Sequence, residues 1–221
     1  MTRVVLASAS PARRAVLRAA GIEPEVMVSG VDELAIEDGL AAEGRTSPAE
    51  LCVALATAKA EAVLPQARAA WPDALLVACD SVLDLDGVAL GKPHDAADAV
   101  RRWRSMRGRT GVLRTGHCVA RLDRVGVIPS TGPVWVTDVA STLVVFADLD
   151  DATIDAYVAT GEPLHVAGAF TLDGIGGAFV ERVDGDPANV IGLSLPLLRR
   201  MDENLGVPWT DLWNAVERGP H

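Results

Sequence analysis

The chain has 221 residues, 49% of them hydrophobic and 23% charged, which is enough apolar mass for a substantial core without staples. Lys plus Arg total 20 and Asp plus Glu total 30, and the resulting formal charge of -10 argues against a surface that coats duplex nucleic acid, while a local positive pocket could still take a small anion. There is no apolar run of about 18 residues to span a membrane, the opening Met1-Thr2-Arg3-Val4 lacks signal-peptide character, and Cys52, Cys79 and Cys118 lack metal-ligand spacing, as expected of a reduced cytoplasmic protein.

In chain order, residues 3–8 form a short apolar strand. Ser10 caps a helix that Pro11 opens and Gly21 stops. A second strand is expected over 25–28, followed by a polar loop over 30–45. Ser47-Pro48-Ala49-Glu50 is a capping box, and the Ala/Leu/Val run behind it predicts a helix over 48–64. Residues 74–79 read as a buried strand that ends abruptly at Asp80. Asp86-Gly87 between two apolar stretches reads as a tight hairpin. A third helix spans 95–106, closed by Gly108.

The second half has more strand character. Residues 112–122 and 134–146 are rich in Val and Thr and are separated by a Gly/Pro turn. A short helix over 150–160 is capped by Asp150 and stopped by Gly161. A Gly-rich loop over 168–177 leads to a strand at 180–183, and Ser194 caps a last helix that runs to about 204. Helices and strands alternate early and strands cluster later, so the expected fold is α/β, or α+β, with a mixed sheet in one domain covering 1–221.

Five places carry potential chemistry, one of them the loop over 161–177, whose five glycines and turn proline suggest close packing and whose His165 reads as structural rather than as a general base. The stretch Ser8-Ala9-Ser10-Pro11-Ala12-Arg13 joins a strand to a helix N-terminus, a geometry that either simply caps a helix or gathers N–H groups, hydroxyls and a guanidinium around an anion. Asp80 closes a buried strand, where it could hold a metal, accept a proton or merely form a turn. Gly91-Lys92-Pro93 follows the hairpin, which could return Lys92 to Asp80. Asp32-Glu33 in the polar loop could join Asp80 around a hard cation such as magnesium. Lys59 and Lys92 are the only lysines, and all the other basic residues are arginine. Walker A, GxGxxG and GxSxG patterns do not occur. His117 and Cys118 are neighbours on one strand, so they point to opposite faces and do not form a nucleophilic pair.

LASASPARR at 6–14, ACDS at 78–81 ahead of GKP at 91–93, YVATGEP at 157–163, AGAFTLDGIGG at 167–177 and NVIGLSLP at 189–196 occur in this order. Together, over about residues 4–200, they resemble the Maf family of nucleoside triphosphate pyrophosphatases, in its actinobacterial-like branch. The resemblance implies an elongated fold related to the inosine triphosphatases, with a central mixed sheet, flanking helices and two lobes around a cleft. It implies cytoplasmic enzymes that cut a nucleoside triphosphate to the monophosphate and pyrophosphate with a divalent cation, Mg2+ or Mn2+. It also implies a link to nucleotide-pool housecleaning and arrest of cell division, and it allows a homodimer.

Carried over position by position, the resemblance makes Asp80, Glu33, Lys59 and Lys92 catalytic, with Asp80 as proton acceptor and Glu33 and Asp80 as metal ligands. It makes Ser8, Ser10, Ala12, Arg13, Ser81 and Asp173 substrate-binding. The chain departs from the common pattern at Ala12, Ser81, Val166, Gly111 and Asp173, where the family often has Arg, Thr, Lys, His and Gln. An ionised Asp at 173 only accepts hydrogen bonds, which suits a donor-rich guanine edge better than a uracil or thymine edge. The alternative reading is a non-catalytic nucleotide-binding regulator of division or septum formation; retention of Asp80, Glu33 and both lysines argues against it.

Overall fold

The computed structural model describes residues 1–124 and 135–214. The Gly/Pro turn expected between the two long strands lies outside the described residues. The strands are β1 (Val4–Leu6), β2 (Glu25–Val26), β3 (Leu75–Leu85), β4 (Val88–Leu90), β5 (Thr110–Arg121), β6 (Trp135–Phe146) and β7 (Val180–Asp184). They form a seven-stranded mixed sheet in the order β2-β1-β3-β5-β6-β7, with β4 also paired to β3. β1 runs parallel to β2 and β3, whereas β4, β5, β6 and β7 pair antiparallel. The helices are α1 (Pro11–Ala19), α2 (Glu33–Ala42), α3 (Pro48–Ala70), α4 (Ala96–Met106), α5 (Asp151–Ala159), α6 (Pro187–Ile191) and α7 (Leu195–Asn204).

The two-residue period of β3 sorts its side chains between two layers. Leu76 and Ala78 face α3, whose stripe Ala56, Ala60, Val63 and Ala67 packs on them. Leu75, Val77 and Cys79 face the other way, onto Val16 and Leu17 of α1 and Leu197, Leu198 and Met201 of α7. A third core, built on Trp103, Phe146 and Tyr157, lies where α4 and α5 cover the far end of the sheet. Trp103 is fully buried and its indole N–H donates to the Ala169 carbonyl at 2.7 Å. Trp209 packs on the second core and Trp213 is exposed. The three cysteines are buried and unbridged, and burial pushes each thiol up to about 12. Among the described residues no helix is long and apolar enough to cross a membrane.

Three expectations need correcting. The stretch over 30–45 is not a loop: Asp32 caps α2 by accepting from the Ala35 N–H at 3.1 Å, and Glu33 suits its first turn. α3 runs through Pro65 to Ala70, because the apolar stripe continues past the proline. Asp80 does not end its strand: β3 continues to Leu85 and turns at Asp86-Gly87 into β4. Both turn residues have positive φ, 53° and 85°, as a hairpin turn of the primed kind requires.

The continuation of β3 past Asp80 sets the position of the cleft. One edge of β3 is paired with β5 from Leu75 to Asp84. Its other edge is paired with β1 up to Val77 and with β4 only from Leu83. Among the described residues, 78–82 therefore have no ladder partner on that side, and Asp80 sits in the middle of the gap.

Candidate active site

The ten residues expected to be catalytic or substrate-binding all line one cleft of about 1060 Å³: Ser8, Ser10, Ala12, Arg13, Glu33, Lys59, Asp80, Ser81, Lys92 and Asp173; Asp32, offered beside Glu33 as a cation ligand, is spent instead on capping α2. The turn after β1 and the start of α1 supply the first four. α2 brings Glu33, α3 brings Lys59, β3 brings Asp80 and Ser81, and the hairpin returns Lys92. Asp173 is exposed on the Gly-rich loop.

Asp80 and Lys59 are both buried. Lys59 Nζ lies 2.5 Å from Asp80 Oδ1 and 2.6 Å from Glu33 Oε1, so one ammonium joins two carboxylates from separate elements. Desolvation raises the Asp80 carboxyl above its ordinary range, and the charges of Lys59 and Arg13 offset only part of that. At Glu33 desolvation also works against ionisation. There the hydrogen bond and charge of Lys59, helped by Lys92 and Arg13, outweigh it, and the carboxyl is lowered. The two acids are thus driven apart by their surroundings, as expected where one must stay charged and the other can take a proton.

Arg13 is held from several directions. Its Nε donates to the Gly192 carbonyl at 2.7 Å, and its terminal nitrogens donate to Ser8 Oγ and Ser81 Oγ, each at 3.1 Å. Ser10 caps α1 by accepting from the Arg13 N–H at 3.3 Å, and its own N–H donates to Ser8 Oγ at 3.2 Å. The Gly91 carbonyl, next to Lys92, accepts from Arg102 at 2.6 Å and from the Gly168 N–H at 3.1 Å, which fixes the backbone that carries the lysine. Glu162 ties down the loop carrying Asp173. It accepts from Tyr157 Oη, Thr171 Oγ1 and the Ile175 and Gly176 N–H groups at 2.5 to 3.0 Å.

Several cleft residues escaped the sequence reading. Glu37 lines the cleft one turn after Glu33 on α2; burial, then the nearby Asp80 and Glu33, raise its carboxyl. Reading 30–45 as a helix would have found it through the four-residue spacing. Gly192 lines the cleft as well, while Thr115 and Asn189 stand behind Ser81 and Gly116 pairs with Asp80 across β5 and β3. His117 faces the α7 side. Its Nε2 accepts from the Ser194 N–H at 3.0 Å, so Nδ1 carries the proton toward the Thr115 carbonyl, and burial pushes the ring down to about 4. It is a neutral structural histidine.

Among the described residues no three His, Cys, Asp or Glu side chains converge as a metal cage. Glu33 and Asp80 alone fit a hard cation of the magnesium type, which takes one or two carboxylates and completes its shell with water and phosphate oxygens.

Known proteins match this chain over most of its length. It is 55% identical over 213 residues to a nucleoside triphosphate pyrophosphatase of Salinispora tropica, covering 96% of this chain and 88% of that one. It is 54% identical to the protein of the same name from Streptomyces coelicolor, over 97% and 96% of the two chains. A solved nucleoside-triphosphatase from Mycobacterium abscessus aligns over 93% of this chain and 97% of its own at 12% identity, but its TM-score of 0.35 is too low to argue from. The family model for Maf-like proteins matches residues 3–205, and the chain belongs to that family.

Proposed function

We propose that the protein hydrolyses a nucleoside triphosphate between its α and β phosphates, releasing the nucleoside monophosphate and pyrophosphate. The observation that carries this reading is the grouping of Asp80, Lys59 and Glu33 in one cleft with the held Arg13. Triphosphate hydrolysis needs cations for a leaving group that gains charge, and an acceptor for the proton of water. Lys59, Lys92 and Arg13 answer the first need, aided by the α1 N-terminus. Asp80 answers the second: burial makes its carboxylate a stronger base than an exposed one. Water adds across the phosphoanhydride, its oxygen joins phosphorus, one proton passes to Asp80, and pyrophosphate leaves.

Glu33 and Asp80 would hold a Mg2+ or Mn2+ ion, which when bound supplies further charge neutralisation and acidifies water. Ser8 and Ser10 border the phosphate-binding end. Ala12 leaves that wall without a second cation, and Asp173 offers an acceptor to the base. The relatives' names support the same reaction.

The test is product analysis across canonical and modified triphosphates with Mg2+ or Mn2+. Monophosphate and pyrophosphate in equal amounts are expected, with guanine-type bases ranked above pyrimidines if Asp173 reads the base. Diphosphate and orthophosphate would overturn the reading. Nucleotide bound by folded protein without any turnover would favour the non-catalytic regulator.

A further inference from the structure

Arg13 commits three of its N–H groups to protein acceptors: Gly192 O, Ser8 Oγ and Ser81 Oγ. A guanidinium has five. One N–H on each terminal nitrogen therefore remains for an anionic ligand such as a phosphate oxygen.

The direction of every bond behind Ser81 can be deduced. Thr115 Oγ1 lies 3.2 Å from the Asn189 carbonyl, which can only accept, so the Thr115 proton goes there. Thr115 must then accept from Ser81 across their 2.9 Å contact. The Ser81 proton is committed, and its oxygen is the acceptor that Arg13 uses. Ser81 lines the cleft and also supports Arg13 from behind. Ser8 differs: its oxygen accepts from both Arg13 and the Ser10 N–H, which leaves its O–H to donate.

The chain ends at a rigid point. Thr115 and Asn189 are fully buried. Asn189 Nδ2 donates to the Leu113 carbonyl at 3.1 Å and to Thr142 Oγ1 at 3.0 Å, which ties α6 to both β5 and β6. The same short helix leads to Gly192, whose carbonyl takes Arg13 Nε. α6 thus holds the guanidinium directly through Gly192 and indirectly through Asn189, Thr115 and Ser81. Gly192 has φ +123°, and a Cβ there would stand 3.1 Å from Arg13 Nε, so a side chain would press on the clamp.

We infer that Thr115 and Asn189 are positioning residues that orient Arg13 toward a substrate phosphate through Ser81. The inference rests on the proposed reading of Arg13 as a phosphate-binding group. The experiment compares Thr115→Val, which keeps shape and loses the hydroxyl, with Thr115→Ser, which restores it. Thr115→Val raises KM for the triphosphate about tenfold with kcat within about threefold, while Thr115→Ser stays within about twofold of wild type. In an Arg13→Ala background Thr115→Val adds nothing, because the two changes act on one interaction.

An unchanged KM in Thr115→Val would overturn the inference. So would a Thr115→Ser protein as impaired as Thr115→Val, or an undiminished Thr115 effect without Arg13. If Thr115→Val fails to fold, Ser81→Ala cuts the same link: a comparable rise in KM supports the inference and an unchanged KM overturns it. Should the wild type hydrolyse no nucleotide, the proposed activity fails separately. Calorimetric affinity for inorganic triphosphate then decides, about tenfold weaker in Thr115→Val if the inference holds and equal if it does not.

Discussion

Gly116 on β5 lies directly opposite Asp80 on β3, and the place where a side chain at 116 would stand is filled by the backbone of α3. A Cβ on Gly116 would come within 2.3 Å of the Cys52 carbonyl carbon and oxygen. Residues paired across antiparallel strands share a face. The bare strand at 116 thus lets α3 sit close over the face from which Asp80 projects. Two turns further along α3, Lys59 reaches the carboxylate.

Gly116→Ala should therefore damage fold and site together. The clash is with backbone, which cannot rotate away, and overpacking of this kind costs about 3 kcal/mol. Urea denaturation should show that loss, and the residual folded protein should turn over poorly because Lys59 moves with its helix. A variant as stable and active as wild type would show that α3 is not held there.

Lys59→Met removes the ammonium shared by Asp80 and Glu33 while keeping the bulk of the stem. Activity should fall about 100-fold, the usual cost of losing one charge-stabilising group. The sign of the pH effect also follows. Lys59 is the largest influence favouring the ionised form of Asp80, so without it the acid titrates higher. The acid limb of the kcat/KM profile should move to higher pH; movement to lower pH would contradict the assignment of Asp80 as the proton acceptor.

Asp202 gives a stability test away from the cleft. It is fully buried in α7, and among the described residues neither carboxylate oxygen has a hydrogen-bond partner. Burial, with a small push from Glu203, raises it from 3.8 to about 8. The folded state then holds a proton that the unfolded state releases. The stability contributed by that proton is complete below the unfolded value and is lost as pH rises through about 8. Asp202→Asn cannot ionise, so its advantage over wild type should grow across that window, from near zero at pH 4 to more than about 10 °C in Tm at pH 8. Thermal scans at the two pH values check it; a constant gap would contradict a buried neutral acid.

Glu162→Gln should loosen the loop that carries Asp173. Desolvation disfavours the charge on Glu162, but bonds from Thr171, from two backbone N–H groups and from Tyr157 outweigh it and lower the carboxyl. An amide keeps one acceptor oxygen and turns N–H groups toward these donors. The expected cost is about 2 kcal/mol, since bonds to a charged acceptor are the stronger kind. Hydrogen exchange at the Ile175 and Gly176 amides should accelerate; unchanged exchange would mean that the glycines hold themselves.

Much of this architecture was legible because local chemistry dictates it. Ser10, Ser47, Asp150 and Ser194 cap the helices that they announce, and Asp86-Gly87 makes the hairpin that returns Lys92. The segment 30–45 misled because its helix buries only Leu40 and so lacks a marked apolar stripe. Sequence alone ends β3 at Asp80 because a carboxylate in a buried strand contradicts local propensity, and it takes Lys59 and Arg13 from other elements to offset part of its burial. The anchors of Arg13 were illegible for a related reason. Thr115, Asn189 and Gly192 meet it through tertiary contacts that no local pattern encodes.

The most direct test of the central claim is pyrophosphate release by Asp80→Asn beside wild type, with Mg2+ or Mn2+ present and folding verified. Asparagine keeps the shape but cannot take the proton, so release should fall about 1,000-fold or more. Release at the wild-type rate would contradict the account, because the reaction would then owe nothing to the one buried carboxylate around which the cleft is built.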